Sequence, residues 1–437
     1  MRALKAVGIL WSFLALCVGL GFSGEALAQT DAEYLSVINF RFSNPGARAR
    51  AMGGALVALA DDDSTAAFVN PGGLAFFDRS QVSVEYVSEE DEFLSPRVET
   101  GLNLDGTPSR TPGRRTIQNE SNFLSFASYL QPILPNKLVV SAFYGKLLDT
   151  ESGVDVFIDS AFFPEIDSDL VFRPVTNTAS AINEVYGASA GWRLGENLGI
   201  GMAVGISELS FEGISRRGEL FDPADTVNIQ SSVVDAETDL FFTLGGLWRI
   251  SDRWVAGLSW QKQTSYDMDN RFEVVGFSFL DRSFQSEFTI PTRIAGGWVY
   301  RGEKWVVSFE ADHIQYSDLF EQAEGVTFFG ETAEDASYGY AIPDVTELHL
   351  GFERTFTTAT AGQSWSLRAG VWRDEAHLPY YTGSDPLQRA WAPRLDDEIY
   401  HWTVGGGFEA ERFALGIAGD FSSDAGTDVL VSAIFKL

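Results

Sequence analysis

The chain has 437 residues, 61 acidic against 31 basic, and a formal net charge of −30, which excludes the basic footprint that nucleic-acid partners need. Beyond the N-terminal region no uninterrupted apolar run reaches about 18 residues, so membrane-spanning helices are excluded. A mean hydropathy of −0.03 with 13% aromatic residues fits a β-barrel, whose lipid-facing and lumen-facing positions average out.

In chain order, Arg2 and Lys5 precede an apolar run from Ala6 to Phe22, and Ala26-Leu27-Ala28 has the small-residue form of a cleavage site. This reads as a secretory signal peptide over 1–28, too short for a retained span. The single cysteine, Cys17, lies inside it and follows Leu16 rather than a small residue, so neither a lipid anchor nor a disulfide framework is expected.

The stretch 44–77, NPGARARAMGGALVALADDDSTAAFVNPGGLAFF, is rich in small residues and lacks strand alternation. Gly53 and Gly54, and again Gly72 and Gly73, allow sharp turns or close backbone approach. Asp61, Asp62 and Asp63 before Ser64 read as a polar turn or helix cap, and Asn70-Pro71-Gly72-Gly73 as a turn. The expected division is 1–28 signal, 29–80 plug and 81–437 transmembrane barrel.

Fourteen strands of period-two alternation follow, most of them at or above the roughly 9–11 residues a transmembrane strand needs. They are predicted at 81–88, 122–131, 137–148, 183–194, 198–212, 239–250, 254–267, 288–300, 304–316, 345–355, 364–373, 398–409, 412–421 and 428–437. Alternation is clearest near the C-terminus, where Phe413, Leu415, Ile417 and Phe421 share one face and Ala414, Gly416, Ala418 and Asp420 the other. Connections alternate between long ones and turns such as Gly195-Glu196-Asn197 and Arg301-Gly302-Glu303. That asymmetry is the signature of an outer-membrane barrel, with short periplasmic turns and long external loops. Trp254, Trp305, Trp365, Trp391 and Trp402 lie at or near strand ends, as in aromatic girdles.

Met52-Gly53-Gly54-Ala55, Ala60-Asp61-Asp62-Asp63-Ser64 and Asn70-Pro71-Gly72-Gly73-Leu74 resemble the N-terminal hatch of the outer-membrane hydrophobic-compound transporters, the long-chain fatty acid transporter family. Two departures are Gly72 for the family's alanine and Leu437 for a terminal phenylalanine. The resemblance implies an all-β fold: a barrel of about 14 antiparallel strands, with the hatch in its lumen, in the bacterial outer membrane. It implies facilitated uptake of long-chain fatty acids or aromatic hydrocarbons, by hatch movement and lateral release through a kink in the third strand. Gly145 is the candidate for that kink. Gly53, Gly54, Asp61, Asp62, Asn70, Pro71 and Gly72 are the hatch residues. Phe272, Phe277, Phe279, Leu280 and Phe284, with Val274 and Val275, form an apolar external connection suited to capturing cargo. Expected partners are hydrophobic small molecules, membrane lipids and lipopolysaccharide, and the barrel-assembly machinery; a monomer is expected.

Neither catalysis nor a cofactor or metal is expected. The four histidines, His313, His349, His377 and His401, fall on separate strands or loops without metal-ligand spacing. His313 and His349, on neighbouring strands, could face each other, and Glu310, Asp312, Glu347 and Glu353 read as lumen-lining. Two other readings stay open: a same-fold barrel acting as a surface docking or shuttle component of a protein secretion system, and a polar-solute porin.

Overall fold

In the computed structural model the described residues are 44–102, 108–157, 174–222, 225–274, 278–320, 327–328, 331–332, 340–375, 377, 380–381, 398–422 and 426–437. The expected signal peptide, and Val275, Phe277 and Trp391, lie outside them. No described helix is long and apolar enough to cross a membrane.

Alternating strands close into a barrel of fourteen. They are β1 Gln81–Leu102, β2 Pro108–Leu134, β3 Leu138–Phe157, β4 Pro174–Leu194, β5 Leu198–Asp222 and β6 Asp225–Arg249. Next come β7, Trp254–Gln261 continued by Thr264–Val274, and β8, Arg282–Ile290 continued by Arg293–Arg301. The rest are β9 Trp305–Ile314, β10 Val345–Thr357, β11 Ser364–Asp374, β12 Ile399–Glu409, β13 Phe413–Ser422 and β14 Thr427–Lys436. All pair antiparallel with their chain neighbours, and β14 closes on β1 from Gln81↔Lys436 to Glu90↔Thr427.

The outer face is a band of exposed apolar side chains, such as Ile200, Met202, Val204 and Ile206 of β5 and Leu415 and Ile417 of β13. Trp192, Trp248, Trp254 and Trp365 are exposed beside the short turns, which places a girdle at the periplasmic rim. The strands outrun the bilayer at the other end. Residues 89–117, which read as a polar connection, continue the β1–β2 ladder to Leu102↔Pro108, and β3–β4 pairing reaches Phe157↔Pro174. Above the membrane both faces can be polar, so apolar alternation no longer marks the strand.

The wall has irregular places. Breaks in β7 at Lys262-Gln263 and in β8 at Pro291-Thr292 lie side by side, since Gln261 pairs with Arg293 and Thr264 with Ile290. Pro291 has no N–H to give a ladder. Main-chain pairing of β6 with β7 lapses between Thr243↔Gln261 and Val233↔Asn270. There the Asp235 and Asp239 carboxylates accept from the N–H groups of Asp269 (3.1 Å) and Ser265 (3.0 Å). The β2–β3 ladder stops at Phe126↔Gly145, next to a bulge at Lys146/Leu148.

Candidate functional site

Residues 44–77 fill the lumen. They form helix α1, Ala47–Ala51, and two 3₁₀ turns, Ser64–Ala67 and Pro71–Phe76. Asp63 caps the first turn through Thr65 N (3.1 Å) and Asn70 the second through Gly72 N (3.2 Å), with Pro71 at its start. Met52, Leu56, Leu59 and Leu74 are fully buried.

Two glycine pairs bring plug backbone against wall backbone. Gly53 (φ 70°) and Gly54 (φ 83°) adopt the left-handed region that glycine favours. A Cβ on wall residue Gly370 would lie 2.2 Å from Gly53 N, and one on Gly351 2.4 Å from Met52 O. Gly199, Gly201 and Gly245 of β5 and β6 admit Asn70-Pro71-Gly72 in the same way, at 2.1 to 2.3 Å. Fully buried Asn70 also donates to the carbonyls of Val57 (2.8 Å) and Gly246 (3.2 Å), so one amide joins plug to plug and plug to wall.

Charge fastens the same segment. Asp61, its side chain fully buried, pairs with Arg249 (2.8 Å) and Arg301 (2.5 Å) near the periplasmic ends of β6 and β8. Asp62 is exposed and pairs with Arg48 (3.0 Å), which also reaches Glu353 (3.1 Å). Glu310 accepts from the N–H groups of Leu56 (2.7 Å) and Val57 (2.6 Å) and from Asn44 (3.2 Å). Arg50 meets Asp420 (3.1 Å) and Asp428 (3.4 Å), and Glu85 accepts from Gly46 N (2.9 Å). A hydrogen bond to a charged group contributes roughly 1.5–3 kcal/mol, so the plug is firmly seated.

Phe68 is a plug residue that packs against β3 beside its irregularity. Its ring stacks on Phe241 (5.1 Å between centroids) and meets Phe143 edge-on (5.6 Å). Gly145 lies against the same ring. Beside it Asn44, Pro45, Arg50, Phe123, Leu147, Leu148 and Leu430 line a cavity of about 40 Å³. A water needs roughly 10–15 Å³ of such space, so this cavity has room for a few waters and is too small for a hydrocarbon. Where the ladder ends, the Lys146 ammonium sits 4.7 Å over the Phe123 ring.

Toward the external ends of the strands the lumen is lined by Leu209, Phe211, Met268, Phe288 and Ile290, all buried. Tyr266, Asn183 and Ser207 satisfy one another among them. Phe279 is 63% exposed at the external end. The main chain of Phe272 lies in β7, that of Phe284 in β8, and Leu280 sits in a short turn between them. Phe277 lies outside the described residues.

His313 and His349 do not face each other. His313 pairs with Thr346 (3.2 Å) on the outer face, whereas buried His349 stands opposite Glu310 on the inner one. Their registers differ by an odd number of residues, which puts them on opposite faces. Glu310 and Glu353 do line the lumen, as their alternation predicts, but their plug partners and the wall residues Glu85, Arg249, Arg301, Asp420 and Asp428 carry no mark in the sequence. The one available signal was Arg48 and Arg50 inside an otherwise small, apolar segment, which need acidic partners if buried.

No protein-family model matches the chain, and no curated protein matches it in sequence. Solved structures do. A Pseudomonas aeruginosa FadL homologue shares 15% identity over 92% of this chain and 98% of that one, with a TM-score of 0.59. The Ralstonia pickettii toluene transporter TbuX gives 14% over 91% and 100%, TM-score 0.56. The Pseudomonas putida toluene transporter TodX gives 15% over 91% and 99%, TM-score 0.54. The chain has the FadL-type fold. With its apolar outer band and closed ladder, this FadL-type chain is a transmembrane β-barrel of the bacterial outer membrane.

Proposed function

We propose that the barrel is a channel for inward passage of hydrophobic small molecules, opened by a shift of the plug and emptied sideways between β2 and β3. The observation that carries this reading is the external half of the lumen. Its inward side chains Phe211, Met268, Phe288 and Ile290 are apolar and buried, where a polar-solute porin would present a polar, water-filled interior. Exposed Phe279 suits first contact with an apolar solute at the external surface.

The exit is assigned to the place where the ladder ends at Phe126↔Gly145 and the plug touches the wall. The interrupted β6–β7 pairing suits it less, because Asp235 and Asp239 bridge it with hydrogen bonds. Opening at β2–β3 breaks no main-chain bonds beyond the last rung; it moves Lys146 off Phe123 and Phe68 off Gly145. The solved structures of toluene transporters with this fold support the same class of cargo for this chain.

Native mass spectrometry with lipid extraction on the mature barrel in mild detergent tests the reading. Bound fatty acid or hydrocarbon near one per barrel, reduced when Asn70 and Pro71 are both changed to alanine, is the expected result. An empty barrel that co-purifies with a secreted protein would favour the docking role instead.

A further inference from the structure

Asp312 of β9 and Glu347 and His349 of β10 converge in the lumen opposite the Met52-Gly53-Gly54 turn of the plug. Register sets Asp312 directly across from Glu347, and like charges in that position destabilise a sheet unless something positive lies between them. All three are buried, at 0%, 5% and 5% exposure. Arg293 holds one oxygen of Asp312, but Asp312 Oδ1 has no hydrogen-bond partner.

His349 is oriented toward the same two carboxylates. Its Nδ1 is 2.7 Å from the Gly53 carbonyl, which can only accept, so Nδ1 carries the hydrogen and Nε2 faces the carboxylates. Nε2 lies 3.6 Å from Asp312 Oδ2, the oxygen that Arg293 also holds, and 3.6 Å from Glu347 Oε2, and makes no hydrogen bond. That spacing is too long for an N–H···O bond, whose range is about 2.7–3.2 Å. It matches two donors on one ion, since legs of about 2.1 Å at a tetrahedral angle put ligand atoms roughly 3.4 Å apart. The three donor atoms lie within 4.8 Å of one another.

We propose that Asp312, Glu347 and His349 bind a divalent cation of the zinc class, one imidazole and two carboxylates being a donor set for a borderline metal. The His349 hydrogen bond to Gly53 is the kind of outer contact that orients a metal-bound imidazole. Here it runs to the plug, so the ion ties β9 and β10 to the Met52–Gly54 turn. No sequence motif announces the site, because its ligands come from two strands. The proposal stands whether or not the barrel carries hydrophobic cargo.

Equilibrium dialysis of the full barrel against zinc in excess magnesium, with elemental analysis, is the test. Magnesium occupies the acidic surface. One zinc per barrel is expected, with His349→Gln and Glu347→Gln each weakening binding at least about tenfold. Asp252→Asn, in an exposed turn, leaves it unchanged. Binding that is absent, or equal in the His349 and Asp252 variants, overturns the proposal. Should both ligand variants fail to fold, cobalt loading of the wild type decides. An intense tetrahedral visible spectrum supports the site, and a weak aquo-like one overturns it.

Discussion

The ring of Phe68 in the plug lies 3.0 Å from the position a Cβ would take on Gly145 of β3. A side chain at 145 and the seated plug therefore compete for one space. Gly145→Val should push Phe68 off its seat between Phe143 and Phe241, at a cost of about 1–3 kcal/mol by overpacking. Phe68→Ala should leave a cavity costing about 3–5 kcal/mol and increase entry of a hydrophobic dye into intact cells. Dye entry and protease sensitivity of the plug, measured together, check both. Unchanged dye entry in Phe68→Ala would separate this contact from gating.

Adjacent glycines of β6 should behave oppositely. A Cβ on Gly245 would fall 2.1 Å from Asn70 Oδ1, whereas one on Gly246 meets nothing within 4 Å. Gly245→Ala should unseat the Asn70 turn, while Gly246→Ala should stay within about 0.5 kcal/mol of wild type. Thermal unfolding of the two variants, followed by hydrogen exchange over Asn70–Phe77, makes the comparison.

Asp61→Asn removes the one carboxylate shared by Arg249 and Arg301. Both arginines are partly exposed and regain water, so the expected loss is on the order of 2 kcal/mol rather than that of a fully buried pair. The loss should fall on the plug alone. Limited proteolysis should cut near Asp61–Ser64 while the barrel keeps its folded migration on gels.

A pH effect is expected at the external end, outside the spanning strands. His377 stacks on Tyr316 (4.4 Å between rings) with Nδ1 3.2 Å from Asp374. Burial alone would lower its pKa, but the Asp374 carboxylate more than reverses this and raises it from 6.5 to about 9. Since the folded value is the higher one, the pair stabilises fully below about 6.5 and loses that effect as pH rises through about 9. Hydrogen exchange over Tyr316–Phe320 should be slower at low pH in wild type, and the difference should shrink in His377→Gln.

Much of this molecule is legible along the chain. Inside the bilayer each strand must alternate, so all fourteen strands could be placed from residue pattern. The Asn70 and Asp63 caps are also readable, since they act within two residues of themselves. What pattern cannot supply is pairing across the lumen. Asp61 meets Arg301 and Leu56 meets Glu310 across 240 and 254 residues, and an arginine at a periplasmic strand end looks like any interfacial anchor. The strand extensions beyond 88 carry no mark in the sequence for a different reason, since no apolar face is needed above the membrane.

Photo-crosslinking with a diazirine-bearing fatty acid tests lateral release most directly. The account predicts labelling of Phe211 and Phe288 in the lumen and of Phe123, Leu147 and Leu148 beside the end of the β2–β3 ladder. Labelling confined to lipid-facing residues such as Leu124 and Tyr129, with none in the lumen, would contradict it.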